Sequence, residues 1–185
     1  MILILIILIY LSLFIYLIYN NKNDNFKNIV KNIETKVQII NNNNFSNYKT
    51  QLDNLYKKCV YNNGVHPNFN LNNSNSLVFI LQHNNEIIGS VQIDDFDKLN
   101  KKFYVDNIGA IEDKKGLYLT YLCGNENYKG ITRPLFDAID EYAKNNNFEY
   151  ILLEAKGKWR KDYYKKFGYK NITNDNYPSM IKFIK

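Results

Sequence analysis

The stretch Gly116–Ala155 constrains the fold more than any other part of the chain. It opens with "GLYLTYLCG" (Gly116–Gly124), an alternating run that suits a β-strand. One face reads Leu117, Leu119, Tyr121, Cys123 and the other Tyr118, Thr120, Leu122. Leu135, Phe136, Ile139, Tyr142 and Ala143 then recur at helical spacing, and Asn145–Asn147 stops that helix. "EYILLEA" (Glu149–Ala155) follows as a second strand. A strand, helix and strand in this order argue for a parallel pairing, which needs a crossover of this kind. The sheet is therefore expected to be mixed, with helices against it.

The flanking segments supply antiparallel partners. "LVFILQHNNEIIGSVQI" reads as a hairpin of Leu77–His83 and Glu86–Ile93 around an Asn84–Asn85 turn. Gly89 interrupts its second strand and marks a bulge or a close backbone approach. "TKVQII" (Thr35–Ile40) is a short strand, and Phe45–Tyr61 is a helix with Tyr48, Leu52, Leu55, Tyr56, Cys59 and Val60 on one face. Lys158–Phe167 is a further helix, with Trp159, Tyr163 and Phe167 on its apolar face, and "FGYKNI" and "SMIKFIK" close the chain as strands. Asn62–Ser76 is a long polar loop, and Asp94–Lys115 has no clear period. With 185 residues, 45% of them hydrophobic, the chain can form one medium domain with a substantial core.

Before this domain lies "ILILIILIYLSLFIYLIY" (residues 2–19), without charge, Pro or Gly. Its length meets the requirement of about 20 apolar residues for a membrane span. No basic residue precedes it and no small-residue cleavage site follows, which favours an uncleaved anchor over a signal peptide. Residues 1–20 are thus expected to be a single-pass transmembrane anchor and 21–34 a juxtamembrane linker or helix, with the globular domain over 35–185. Lys22, Lys27 and Lys31 against Asp24 place that domain on the cytosolic side. The net charge of +6 suits a membrane surface; its lysines form no nucleic-acid motif, so no nucleic-acid partner is expected. The two cysteines, Cys59 and Cys123, suggest neither a disulfide framework nor a metal site and read as core thiols.

Between the first strand and helix of the opening stretch lies "GNENYKGITRPLF" (Gly124–Phe136). A helix N-terminus exposes unpaired N–H groups and a partial positive charge, which suits a phosphate. Gly130 can take a positive φ, Thr132 brings a small hydroxyl, Pro134 fits the first helical turn, and Lys129 and Arg133 add charge. Alone, such a turn is a weak signal and reads more readily as an ordinary strand-to-helix loop.

Together with two further stretches it resembles the GNAT family, the acyl-CoA-dependent N-acetyltransferases, over about Thr35–Lys185. "NYKGIT" (Asn127–Thr132) lies on the family's pyrophosphate-binding turn Q/R-x-x-G-x-G/A, with Asn127 at the Gln/Arg position and Thr132 at the Gly/Ala position. "NNEIIGSVQI" is similar to the family's hairpin, and "YYKKFGYK" (Tyr163–Lys170) to its Y-E-K-x-G-F segment, through Tyr164, Gly168 and Tyr169. An Asn often found upstream of that segment is absent, since Gly157 and Lys158 stand there. The resemblance implies an α/β (α+β) fold with a mixed, mostly antiparallel sheet flanked by helices. It implies acetyl-CoA as co-substrate, with no metal.

Acetyl transfer from a thioester to an amine requires a polarised carbonyl, a neutral amine, a stabilised thiolate and close positioning. By resemblance, the backbone of Tyr121, Leu122 and Cys123 holds the carbonyl and pantetheine amides, and Gly124 lets the chain turn away. The pyrophosphate falls to Asn127, Tyr128, Lys129, Gly130, Ile131 and Thr132. Tyr164, off the apolar register of its helix, is the expected general acid. Glu154, at the end of its strand, is the candidate general base, with Tyr118 and Asp94 as alternatives. His66 and His83 read as solvated surface residues, and Cys123 lacks a His partner for a nucleophilic role. The acceptor amine is not encoded in any recognisable signature. A tethered, catalytically inactive module of the same fold is the alternative that the substitutions at Asn127 and Thr132 keep open.

Overall fold

Among the described residues seven strands form one sheet: β1 (Thr35–Ile40), β2 (Leu77–His83), β3 (Glu86–Asp95), β4 (Gly116–Gly124), β5 (Tyr150–Glu154), β6 (Lys170–Asn171) and β7 (Ser179–Phe183). Their spatial order is β1-β2-β3-β4-β5-β7-β6. The computed structural model describes residues 35–41, 43–59, 76–96, 111, 113–155, 157–172 and 179–185. Only β4 and β5 pair in parallel; every other neighbouring pair is antiparallel. The helices are α1 (Lys49–Lys58), α2 (Thr132–Asn145) and α3 (Lys158–Lys165). The β2–β3 turn puts Asn84 at φ 49° and Asn85 at φ 65°, a two-residue connection whose left-handed positions asparagine tolerates.

Alternation along β2 sends side chains into different cores. Phe79 and Leu81 join Leu135, Phe136, Ile139 and Ala143 of α2, whereas Val78 and Ile80 join Leu52, Leu55 and Tyr56 of α1. Helices therefore cover both faces of the sheet, as its doubly apolar strands require. A third cluster, with Ile111, Tyr150, Leu152 and Ile181, continues the second face beyond α1.

The alternation expected for β4 breaks at Thr120. Gln92 pairs with Tyr121 and Ile93 with Leu119, so Thr120 is an extra, bulged residue. Leu117, Leu119 and Leu122 consequently share the α2 core, while Tyr118 and Cys123 pack on the opposite face. One inserted residue exchanges the two faces of everything after it.

Three further expectations are corrected. Cys59 and Cys123 are not separate core thiols: they form a disulfide, with Cα atoms 5.9 Å apart, that ties the end of α1 to β4. Trp159 lies 69% exposed, because α3 is only eight residues long and begins one residue before it. His83 is half-buried, its ring 5.8 Å from that of Tyr128, and not a fully solvated residue. The apolar run 2–19, the linker 21–34, His66 and most of the Asn62–Ser76 loop lie outside the described residues. Among the described residues no helix is long and apolar enough to cross a membrane.

Candidate active site

The parallel ladder runs from Gly116↔Tyr150 to Leu119↔Leu153, and β4 then continues to Gly124 while β5 ends at Glu154. Where the strands part, a cavity of about 470 Å³ opens. Thr120, Tyr121, Leu122 and Gly124 line it from β4, and Glu154 from β5. Arg160, Tyr163 and Tyr164 close it from α3, and Lys58 and Cys59 from the end of α1. An extended ligand laid along β4 in this gap would meet a strand edge, much as a peptide adds to a sheet.

Tyr164 is a half-buried member of the cavity wall that also packs against the main core. Its ring packs at 6.1 Å from both Phe136 and Tyr169. Burial, reinforced by Tyr163 and opposed by Arg160, pushes its pKa up to about 12. The phenol therefore stays protonated at neutral pH and is available as a hydrogen-bond donor. Helix α3 ends in a Schellman arrangement: Tyr169 N–H reaches Tyr164 O at 3.4 Å and Gly168 N–H reaches Lys165 O at 3.0 Å. Gly168, at φ 90°, supplies the left-handed residue this needs and fixes the orientation of the last turn.

Tyr163, expected in the core, also lines the cavity. Its hydroxyl donates to Thr132 Oγ1 at 2.5 Å, joining α3 to the first residue of α2. Thr132 is buried, and because it accepts from Tyr163 its own proton remains to be donated.

The turn into α2 is built on Asn125. This buried residue donates its N–H to Ile88 O at 2.8 Å and accepts Asn127 N–H on Oδ1 at 3.1 Å. Gly130 takes φ 78°. A Cβ on Gly124 would stand 2.2 Å from Ile131 Cδ1, so the bare backbone there lets the turn fold back onto β4. Tyr128 is half-buried, while Asn127, Lys129 and Gly130 are exposed. Asn127 to Thr132 lie past the Gly124 and Glu126 end of the cavity and are not among its lining residues.

The sequence-predicted residues thus divide. Tyr121, Leu122, Gly124, Glu154 and Tyr164 meet around one cavity, and the turn adjoins it. Cys123 packs against α1 and is held in the disulfide, which leaves it no thiolate. Tyr118 packs beside Phe96, 6.1 Å between ring centroids, on the far part of the second face. Among the described residues no group of three or more His, Cys, Asp or Glu could hold a metal ion.

Residues 40–169 match the model of a family described as Acetyltransferase (GNAT) family. The chain belongs to this family. No curated protein matches the sequence. Solved structures similar to this GNAT chain include FeeM, an N-acyl amino acid synthase from uncultured soil microbes. It is 14% identical, with TM-score 0.59 over 82% of this chain and 91% of that one. An agmatine N-acetyltransferase mutant is 10% identical, with TM-score 0.60 over 81% and 100%. An aminoglycoside acetyltransferase from an uncultured soil metagenomic sample is 20% identical, with TM-score 0.52 over 72% and 84%. At these identities the likeness is one of fold.

Three residues of this GNAT site carried no clear signal in the sequence. Asn125 is hidden in an Asn-rich chain, and only its burial marks it out. Tyr163 was masked by its apparent register with Trp159 and Phe167. Thr120 could be found only through the bulge, which strand alternation does not announce.

Proposed function

We propose that this GNAT acetyltransferase moves an acetyl group from acetyl-CoA to a primary amine. The observation that carries the reading is the cavity where β4 leaves β5, ended by the Asn125–Ile131 turn and overlooked by the protonated phenol of Tyr164. The strand edge suits the pantetheine amides, and the turn and start of α2 suit the pyrophosphate, with the Thr132 hydroxyl as a donor. The amine nitrogen bonds to the thioester carbon as the carbon–sulfur bond breaks, and Tyr164 offers its proton to the departing thiolate. Two of the similar structures are an agmatine N-acetyltransferase and an aminoglycoside acetyltransferase, both named for amines, which supports an amine here without selecting one.

Calorimetry of the full chain with acetyl-CoA and CoA tests the donor. Saturable binding of both is expected; no binding of either overturns the reading. Binding without transfer to any amine would favour the inactive-module alternative, for which the substituted turn residues Asn127 and Thr132 speak.

The proposal includes a single-pass anchor at residues 2–19, supported by their uninterrupted apolar character, and a cytosolic domain, supported by the lysines that follow. The Cys59–Cys123 disulfide pulls the other way, since such bonds persist mainly in oxidising compartments. Protease protection in sealed membranes decides between them: a domain cleaved only from the cytosolic face is expected, and cleavage from the opposite face overturns the orientation. Extraction by alkaline carbonate would overturn the anchor.

A further inference from the structure

Thr120 reaches the cavity because of the β4 bulge, and its hydroxyl donates to Oδ2 of Asp94 on β3. Gln92, two residues before Asp94 on the same face, donates from Nε2 to Asp94 Oδ1 at 3.4 Å. Both carboxylate oxygens are therefore engaged by donors. A hydroxyl has a single proton, so with that proton committed to Asp94, Thr120 Oγ1 has only acceptor capacity left for the cavity. Independently, Gln92 is 6% exposed and its Oε1 has no hydrogen-bond partner among the described residues. A buried carbonyl oxygen of this kind is ordinarily satisfied by a ligand or an ordered water. Of this group Thr120 alone lines the cavity, and its Oγ1 presents there an acceptor that calls for an N–H donor.

We propose that Thr120 is a catalytic residue that takes the proton of the acceptor amine and passes its own to Asp94, which acts as the positioning and storing group. The inference rests on the acetyl-transfer reading and supplies its base. As the nitrogen lone pair forms the bond to the thioester carbon, the carbon–sulfur pair leaves with sulfur. The nitrogen loses one proton to Thr120 Oγ1, and the Thr120 proton moves along the existing hydrogen bond to Asp94 Oδ2. Asp94 later returns a proton to water, and the thiolate is stabilised separately at Tyr164. Gln92 holds Asp94 in place through the hydrogen bond from its Nε2. The acceptor class stays the primary amine of the acetyl-transfer reading, one N–H of which meets Thr120 Oγ1.

The test uses the full chain, acetyl-CoA, and four probe amines: spermidine, agmatine, glycine and a lysine-containing peptide. Thiol release reports transfer and calorimetry reports donor binding. Thr120→Val and Asp94→Asn should each lower kcat on the best probe by about 10²-fold, a usual contribution of general acid–base chemistry, with acetyl-CoA affinity unchanged. Thr120→Ser should restore the rate to within a few-fold of wild type. The double variant should be no slower than the slower single one, because both changes break one relay. A Thr120→Val enzyme of wild-type rate overturns the proposal. So does a Thr120→Ser enzyme as slow as Thr120→Val, or a double variant whose losses multiply. If Asp94→Asn does not fold, the Val and Ser pair decides alone. A wild type that binds acetyl-CoA yet acetylates none of the probes overturns the relay to primary amines. A wild type that binds no acetyl-CoA instead overturns the transferase reading beneath it.

Discussion

Tyr163 and Tyr164 are adjacent, line one cavity and do different things. Tyr164 is packed among Phe136 and Tyr169 with its pKa near 12, above that of an ordinary thiol. A phenol that weak stabilises a thiolate chiefly by hydrogen bonding and less by complete proton transfer. A hydrogen bond to a charged group contributes about 1.5–3 kcal/mol, or roughly 10–10²-fold in rate. Tyr164→Phe should therefore slow transfer by roughly that factor, with CoA affinity and melting temperature nearly unchanged. Because the raised pKa keeps the phenol protonated until pH approaches it, the wild-type rate should show no loss attributable to Tyr164 between pH 6 and about pH 10. A steady-state pH profile checks this, and a descending limb near neutrality that vanishes in the Phe variant would refute it. Tyr163→Phe loses the bond to Thr132 and frees the start of α2, so it should weaken CoA binding more than it slows chemistry. The reverse split in calorimetry and kcat would assign the two residues the other way.

At the level of elements, the approach to α2 carries the donor reading. Gly130 sits at φ 78°, a conformation that costs a residue with a Cβ about 1–2 kcal/mol. Gly130→Ala and Gly130→Glu share that strain, but only Glu adds bulk and negative charge beside the helix start. Both variants should lose similar stability, while Glu alone should abolish CoA binding by calorimetry. Equal binding by the two would move the phosphate elsewhere. This turn was legible in advance because its parts are local: a glycine, a proline one turn later, and an apolar strand before it. The β2–β3 hairpin was legible for the same reason, through Asn84 and Asn85. The face exchange in β4 was not. A bulge is set by which residue of β3 pairs with which of β4, and nothing in "LYLTYL" states that Thr120 will lack a partner. The candidate site inherits this asymmetry: Tyr164 and the turn could be named from sequence, whereas the Thr120–Asp94 contact depends on a long-range register. The apolar face assigned to the last helix holds in part: Phe167 packs against the core, whereas Trp159 and Tyr163 line the cavity, because helical spacing ranks side chains by direction only. Trp159, at the start of a helix of eight residues, lies 69% exposed at the cavity rim.

On the scale of the whole molecule, the Cys59–Cys123 disulfide joins the α1 face of the sheet to the strand that forms the cavity. The two cysteines lie 64 positions apart, and the segment between them contains β2 and β3. That distance hid the pairing from a reading based on spacing. It also gives the bond its leverage: closing a loop of this length lowers the entropy of the unfolded chain enough to stabilise the fold by about 4 kcal/mol in the chain-entropy model. In a domain of this size 1 kcal/mol corresponds to about 2–4 °C, so reduction should lower the melting temperature by roughly 10 °C. Scanning calorimetry with and without a phosphine reductant measures the shift, and the Cys59→Ser/Cys123→Ser variant should melt at the reduced temperature under both conditions. Cys59 borders the cavity, so acetyl-CoA affinity should also respond to reduction, as α1 is released from β4 at the cavity wall. Two thiols titrating in the unreduced, denatured chain, together with a melting temperature indifferent to reductant, would return both cysteines to the role of ordinary core residues.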